Sequence, residues 1–315
     1  MKKFLQATGL LAVLFVLTQL FIYSDKDVET DDVTFEETFE RNYNVYALNL
    51  PSEPRFMDEA VPVSDPDVLE RLDRELLVNT YWQSNGLLLL KRSNKYFPII
   101  EPILAKKGVP DDFKYLAVAE SGLQNIVSPA GAAGFWQILK STGPEYGLEV
   151  NKEIDERYHL EKATYAACDY LLEAKEKFGT WSLAAASYNM GMNGLERQLE
   201  RQKVNSYWNL LLNPETSRYV FRIMAIKEVM EHPEKYGFHY REKDLYALPD
   251  LYDAVVDSSV AHWSDFAQEK GISYKTLKYY NPWLRESYLH NPSQKEYVIK
   301  LPTDTSVYYR EKAVE

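Results

Sequence analysis

The stretch Tyr115-Leu-Ala-Val-Ala-Glu-Ser-Gly-Leu-Gln124 places one acid, Glu120, at the end of an apolar helical run. Pro110, Asp111 and Asp112 suit a helix start, because proline fits the first helical position and acids complement the positive end of the dipole. Phe113, Leu116 and Ala117 then mark an apolar stripe at helical spacing. Continued by one turn, the stripe lands on Glu120, and Gly122 supplies the stop signal. The spacing predicts a helix over 111–120 with Glu120 turned inward near the negative end of the dipole. Burial and the dipole both disfavour a carboxylate and raise its pKa. A carboxyl group kept protonated near neutral pH is what a general acid requires. The commoner arrangement is a helix-end Glu that turns to solvent or pairs with a base.

Working outward, helical periodicity covers 68–77, 87–104, 160–178, 181–188, 193–202 and 214–231, with glycines at 179, 191 and 194 as breaks. No strand-like alternation interrupts this part, so an all-helical domain is expected over 67–240. The last part differs. Asp250 to Val256 reads as a strand, Val260 to Glu269 as an amphipathic helix, and Ser273 to Tyr280 as a second, capped helix ended by Asn281-Pro282. Tyr297 to Leu301 is a second strand stopped by Pro302. The expected fold class is mainly α, with a small α+β unit of order β–α–α–β over 245–303.

The chain of 315 residues carries a net charge of −11, which argues against a nucleic-acid partner because phosphate binding calls for a basic face. Its single cysteine, Cys168, excludes an intramolecular disulfide and sits in a helical run as a small buried residue. The five histidines show no metal-ligand spacing, so neither a metal nor a cofactor is expected. Lys2 and Lys3 precede an apolar run from Phe4 to Tyr23 of nearly membrane-spanning length, followed by acids. Residues 1–24 are read as an uncleaved membrane anchor, with a cleaved signal peptide as the rival. Either way the body is exported. Residues 25–66, acidic and punctuated by Pro51, Pro54, Pro62 and Pro66, read as a linker with a few ordered segments such as 44–50.

Three further stretches bear on Glu120. Small residues and glycines precede Gly134-Phe-Trp-Gln137, which permits close backbone approach, and Gln137 both donates and accepts. Ala184-Ala-Ala-Ser-Tyr-Asn-Met-Gly191 packs tightly and ends with Tyr188 and Asn189. Pro214-Glu-Thr-Ser-Arg-Tyr-Val220 has Pro and Glu in place for a helix start. Each alone also reads as loop, core or cap.

In this order and spacing the four stretches resemble the lytic transglycosylases with a goose-lysozyme-like catalytic domain, and within them the membrane-bound type D branch. The family's Glu-Ser pair matches Glu120-Ser121, and its Gly-x-x-Gln motif matches Gly134 to Gln137. Its Ala-Tyr-Asn motif matches Ser187-Tyr188-Asn189 with Ser in the Ala position, and its Glu-Thr-x-x-Tyr-Val motif matches Glu215 to Val220. The resemblance runs from about Leu69 to about Phe238. Residues 263–302 resemble a divergent LysM domain, a module for N-acetylglucosamine-containing glycans, with Asp257-Ser-Ser259 where Gly-Asp-Thr is usual.

The resemblance implies a lysozyme-like fold and cleavage of peptidoglycan glycan strands at the cell envelope, in the periplasm. Glu120 would act alone, first as acid and then as base, closing an anhydro ring without water. Ser121 and Tyr188 would position it. Gln137, Asn189 and Tyr219 would contact the sugar, and Gly134 would admit the glycan. A lysozyme-type hydrolase would instead need a second acid, for which Asp155 and Glu156 are the nearby candidates. A non-catalytic glycan-binding protein of the same fold is the third reading.

Overall fold

The computed structural model describes residues 45–306; the expected anchor at 1–24 and residues 25–44 of the acidic stretch lie outside the described residues. Among the described residues no helix is long and apolar enough to cross a membrane.

Asp65 starts the first helix. Its carboxylate accepts from Asp67 N at 3.0 Å, and Pro66 fills the first helical position, so α1 (Pro66–Tyr81) begins ahead of the apolar periodicity. After a break at Trp82, α2 (Gln83–Lys107) runs through Pro98 and Pro102 to a left-handed Gly108. Asp111–Phe113 forms a 3₁₀ turn that leads into α3 (Lys114–Ser121), closed by Gly122 at φ 59°. Next come α4 (Thr142–Glu145), α5 (Leu160–Phe178), α6 (Trp181–Met190), α7 (Met192–Gln202) and α8 (Thr216–Glu231). Helix α8 starts at Thr216 because Asn213 caps it, its side-chain oxygen accepting from Glu215 N and Thr216 N, each at 3.0 Å.

The short helix α3 lies inside the bundle, with Leu116 and Ala117 fully buried. It packs on α2 and α8, and α8 packs in turn on α1 and α6. The alanines at 184–186 are fully buried, and their small side chains let α6 lie close to its neighbours. Cys168 is buried and free, as its apolar helical setting implied.

The linker expectation does not hold for its last residues. Arg55–Phe56 (β1) and Glu59–Ala60 (β2) form a small hairpin. Phe56 and Val61 are buried in the helical core, where the Phe56 ring meets Phe113 edge-on at 6.4 Å. The Glu59 carboxylate accepts from Ser182 N at 2.8 Å in the first turn of α6, where the dipole favours an anion. Acids and prolines made this stretch look like a tether, yet one of those acids caps a helix. The expected ordered segment at 44–50 forms no regular element where it is described.

The terminal part has the expected order, with β3 (Leu251–Val256), α9 (Trp263–Glu269), α10 (Tyr274–Tyr280) and β4 (Tyr297–Pro302). Strands β3 and β4 pair antiparallel from Leu251↔Pro302 to Val256↔Tyr297, and Ser273 caps α10 by accepting from Thr276 N at 3.0 Å. This unit is not held by its linker alone. Its buried Trp263, Leu277 and Ile299 share one apolar cluster with Ala133, Ile154 and Tyr158 of the helical part. Asp155 N donates to Trp283 O at 2.9 Å, and Arg285 N donates to Glu153 O at 2.7 Å. Backbone pairing and a common core fix the two parts against each other.

Because Phe56 fills a core site, Phe56→Ala is expected to cost about 3 kcal/mol in denaturant unfolding. A cost under ~1 kcal/mol would show the hairpin to be peripheral.

Candidate active site around Glu120

Gly122 ends α3 one turn after the apolar stripe, so Glu120 is half-buried at the inner side of the helix end. Its carboxyl Oε1 accepts a hydrogen bond from the Tyr219 hydroxyl, brought in by α8. Desolvation pushes the Glu120 pKa up to about 7; the Tyr219 hydrogen bond and the charge of Arg222 pull it down, and the Glu215 carboxylate pushes it up. Burial and the adjacent Glu120 hold the Tyr219 phenol far above its ordinary pKa, so it remains a donor. Tyr188 is raised in the same way, with the charge of Glu120 the next cause after burial. The three side chains thus form one electrostatic group carried on α3, α6 and α8.

Tyr188 donates to Trp136 O at 2.7 Å, fastening α6 to the turn that holds Gln137. In that turn, Ala133 N donates to Ile138 O at 3.0 Å and Ile138 N donates to Ala133 O at 3.1 Å. Gln137 sits in the left-handed region at φ 48°, with its Nε2 donating to Gly134 O at 2.8 Å and Ile126 O at 3.1 Å. No described residue donates to its Oε1. Ser187, where the family pattern has Ala, donates its hydroxyl proton to Ala184 O at 2.7 Å within the helix.

Three of the expected site residues are engaged within the protein. Ser121 does not touch Glu120: adjacent residues on a helix do not face each other. Its hydroxyl lies 2.8 Å from Phe135 O and 3.1 Å from Ala117 O, joining the helix end to the turn at 133–138. Gly134 makes room for the Arg157 backbone. A Cβ there would lie 1.9 Å from Arg157 O, and its φ is +82°. Asn189 joins α6 to α8, accepting from the Thr216 hydroxyl at 2.7 Å and donating to Glu215 Oε1 at 3.3 Å.

Neither candidate for a second acid is free to act. Asp155 pairs with Arg157 through Oδ1 at 2.9 Å and Oδ2 at 2.7 Å, and Arg157 also donates to Gly131 O and Ile138 O. Glu156 is buried, accepting from Glu149 N at 2.8 Å and from Lys162. Both acids support the loops instead. The carboxylate whose charge does reach Glu120 is Glu215, which is exposed.

Glu120 opens onto a cleft of about 490 Å³ lined by Asn79, Trp82, Gln124, Arg218 and Arg222 among others. Trp82 is 60% exposed, an uncommon setting for so large an apolar ring. Asn79, Trp82 and Arg222 lie outside the four motifs. The one signal was an aromatic at the break between two helical runs. Glu75, buried at the back of the cleft, bonds Arg74 and lies 3.8 Å from both Arg218 and Arg222.

Two outcomes follow from this geometry. Gly134→Ala is expected to cost ~2 kcal/mol or more, and a smaller loss in unfolding experiments would contradict the close approach to Arg157. The folded pKa of Glu120 lies above its unfolded value, so its protonated form stabilises the fold fully below about pH 4.5, and that stability is lost as pH rises through about 7. Glu120→Gln should therefore raise Tm by a few degrees near pH 8 and by little near pH 4.5. A Tm difference that is constant with pH would contradict the shift.

Residues 97–211 match the transglycosylase SLT domain, and residues 252–305 match the soluble lytic transglycosylase C-terminal LysM-like domain. The chain is 30% identical over 265 residues to the membrane-bound lytic murein transglycosylase D of Escherichia coli K12, and equally to that of E. coli O6:H1. The match covers 77% of this chain and 58% of each relative, so the chain spans little more than half of their length. The crystal structure of the 70 kDa soluble lytic transglycosylase of E. coli aligns over 63% of this chain and 40% of that one, at 17% identity and a TM-score of 0.40. The chain therefore carries an SLT transglycosylase domain followed by a C-terminal LysM-like domain.

Proposed function

We propose that the chain is a peptidoglycan lytic transglycosylase. It would cleave the β-1,4 bond between N-acetylmuramic acid and N-acetylglucosamine and leave 1,6-anhydromuramoyl ends. The observation that carries this reading is the carboxyl group of Glu120, pushed up to about 7, with Asp155 and Glu156 held in ion pairs and the exposed Glu215 reaching it by charge alone. An ordinary glycosidase places two carboxylates on its bond; a single one suffices when the substrate supplies its own nucleophile.

Protonated Glu120 gives its proton to the glycosidic oxygen as the bond to the muramoyl sugar breaks, and the neighbouring N-acetyl group assists at the sugar carbon. The carboxylate left behind removes the proton of the 6-hydroxyl, whose oxygen closes on the same carbon. The acid is thereby restored and no water is consumed. A pKa near 7 suits both halves, because neither protonation state is far out of reach. Tyr219 fixes the carboxyl by hydrogen bonding Oε1 and leaves its other oxygen for the substrate. Tyr188 acts through the turn it fastens, and the free Oε1 of Gln137 suits an N-acetyl N–H. The exposed Trp82 offers an apolar face at the rim, of the kind on which sugar rings stack.

This reading places the enzyme in the cell envelope, facing the periplasm, with residues 1–24 as anchor or cleaved signal. Its partner is the glycan strand, and no cofactor takes part. The engagement of Asp155 and Glu156 in ion pairs weighs against hydrolysis by a lysozyme-type route.

The test is digestion of purified peptidoglycan by the whole chain, with mass spectrometry of the released muropeptides. Ends one water lighter than reducing ends, absent with Glu120→Gln, are expected. The rate should fall as pH rises through about 7, because the first step needs the protonated acid. Reducing ends would overturn the proposal in favour of a hydrolase. No release from sacculi that a known muramidase digests would favour a binding protein.

A further inference from the structure

The docking of the terminal unit creates a second groove. Its volume is about 690 Å³, and its walls come from both parts: Arg92, Lys95 and Tyr96 on α2, Phe135 on the site turn, and Lys278 and Tyr279 on α10. It adjoins the Glu120 cleft, for Gln124 lines both.

Its charge is unusual for this chain. Arg92, Lys95 and Lys278 line it and no Asp or Glu does, although the protein as a whole carries −11. Each cation bonds only neutral oxygens. Arg92 donates to Gly122 O at 3.0 Å, Lys95 to the Tyr279 hydroxyl at 2.6 Å, and Lys278 to Leu284 O and to Glu286 O, the latter at 2.9 Å. None of the three forms an ion pair with a described carboxylate. Lys95 is 8% exposed, with its ammonium over the Tyr96 and Tyr279 rings at 5.1 and 4.7 Å. Three cations that line one groove, none of them ion-paired and two of them partly buried, form a site that gains by taking up an anion. The groove keeps its shape because shared backbone pairing and core fix the two parts.

We propose that this groove receives the carboxylate-bearing peptide of the glycan strand whose sugar lies in the Glu120 cleft. The inference rests on the transglycosylase reading for the identity of the strand. The muramoyl sugar bears that peptide on its lactyl group, so peptide and scissile bond travel together. A groove that opens beside the acid and carries the opposite charge is positioned to hold one while the other reacts. The terminal unit then serves as one wall of the substrate site through Lys278 and Tyr279. Strands with peptides are preferred over bare strands, and the preference weakens with salt.

The experiment measures binding without turnover. The whole chain carrying Glu120→Gln is titrated calorimetrically with soluble glycan strands, either bearing peptides or stripped of them by an amidase. Peptide-bearing strands should bind about tenfold tighter, consistent with one to two charge-assisted contacts. Adding Arg92→Gln and Lys278→Gln should remove that preference while leaving affinity for stripped strands within about twofold, which also reports intact folding. The charge-keeping pair Arg92→Lys and Lys278→Arg should retain the preference. Equal affinity for both strands in the parent, a preference that survives loss of both charges, or no binding of either strand overturns the proposal. Cleavage by the chain with Glu120 intact reports separately on the transglycosylase reading.

Discussion

Keeping a carboxyl group out of water at the end of a helix is the constraint around which this protein is arranged. Glu120 is raised to about 7 chiefly by desolvation, against the pull of Tyr219 and Arg222. That balance requires three helices to meet at one point: α3 to carry the acid, α8 to bring the phenol and α6 to hold the turn beside it. The fully buried alanines of α6 and the Asn189–Thr216 bond at the start of α8 serve the same meeting. Stability given up in burying an ionisable group returns as a proton available at neutral pH.

Much of this was legible in the chain. The apolar stripe ending at Glu120, the stops at Gly122, Gly179 and Gly191 and the capped helices follow from local spacing, and the structure bears them out, whereas Gly194, expected as a break, lies inside α7. The β–α–α–β order was readable because each element carries its own start and stop residues. Side-chain roles were less legible. Ser121 stands next to Glu120 in sequence, yet points elsewhere because adjacent helix positions diverge. Gly134 serves Arg157, a residue far along the chain that no local pattern connects to it. Phe56, Glu59 and Trp82 matter through contacts that composition and motif spacing do not encode.

The terminal LysM-like unit is docked on the helical part. A module on a flexible tether raises local concentration. This one contributes to a common core and pairs its backbone with residues 153–155, the same segment whose Asp155–Arg157 pair supports the site turn through Gly131 and Ile138. Support therefore runs from the terminal unit through Arg157 to Gly134 and Gln137, by contacts that can each be named. Removing the unit would expose Ile154 and Tyr158 and free the segment on which the turn rests.

The central claim is that Glu120 is protonated near neutral pH by its surroundings. Direct titration of its side-chain carboxyl carbon by NMR, assigned by loss of the signal in Glu120→Gln, tests this without substrate. A midpoint near 7 is expected. A midpoint near 4.5, the value of an unperturbed glutamate, would contradict it.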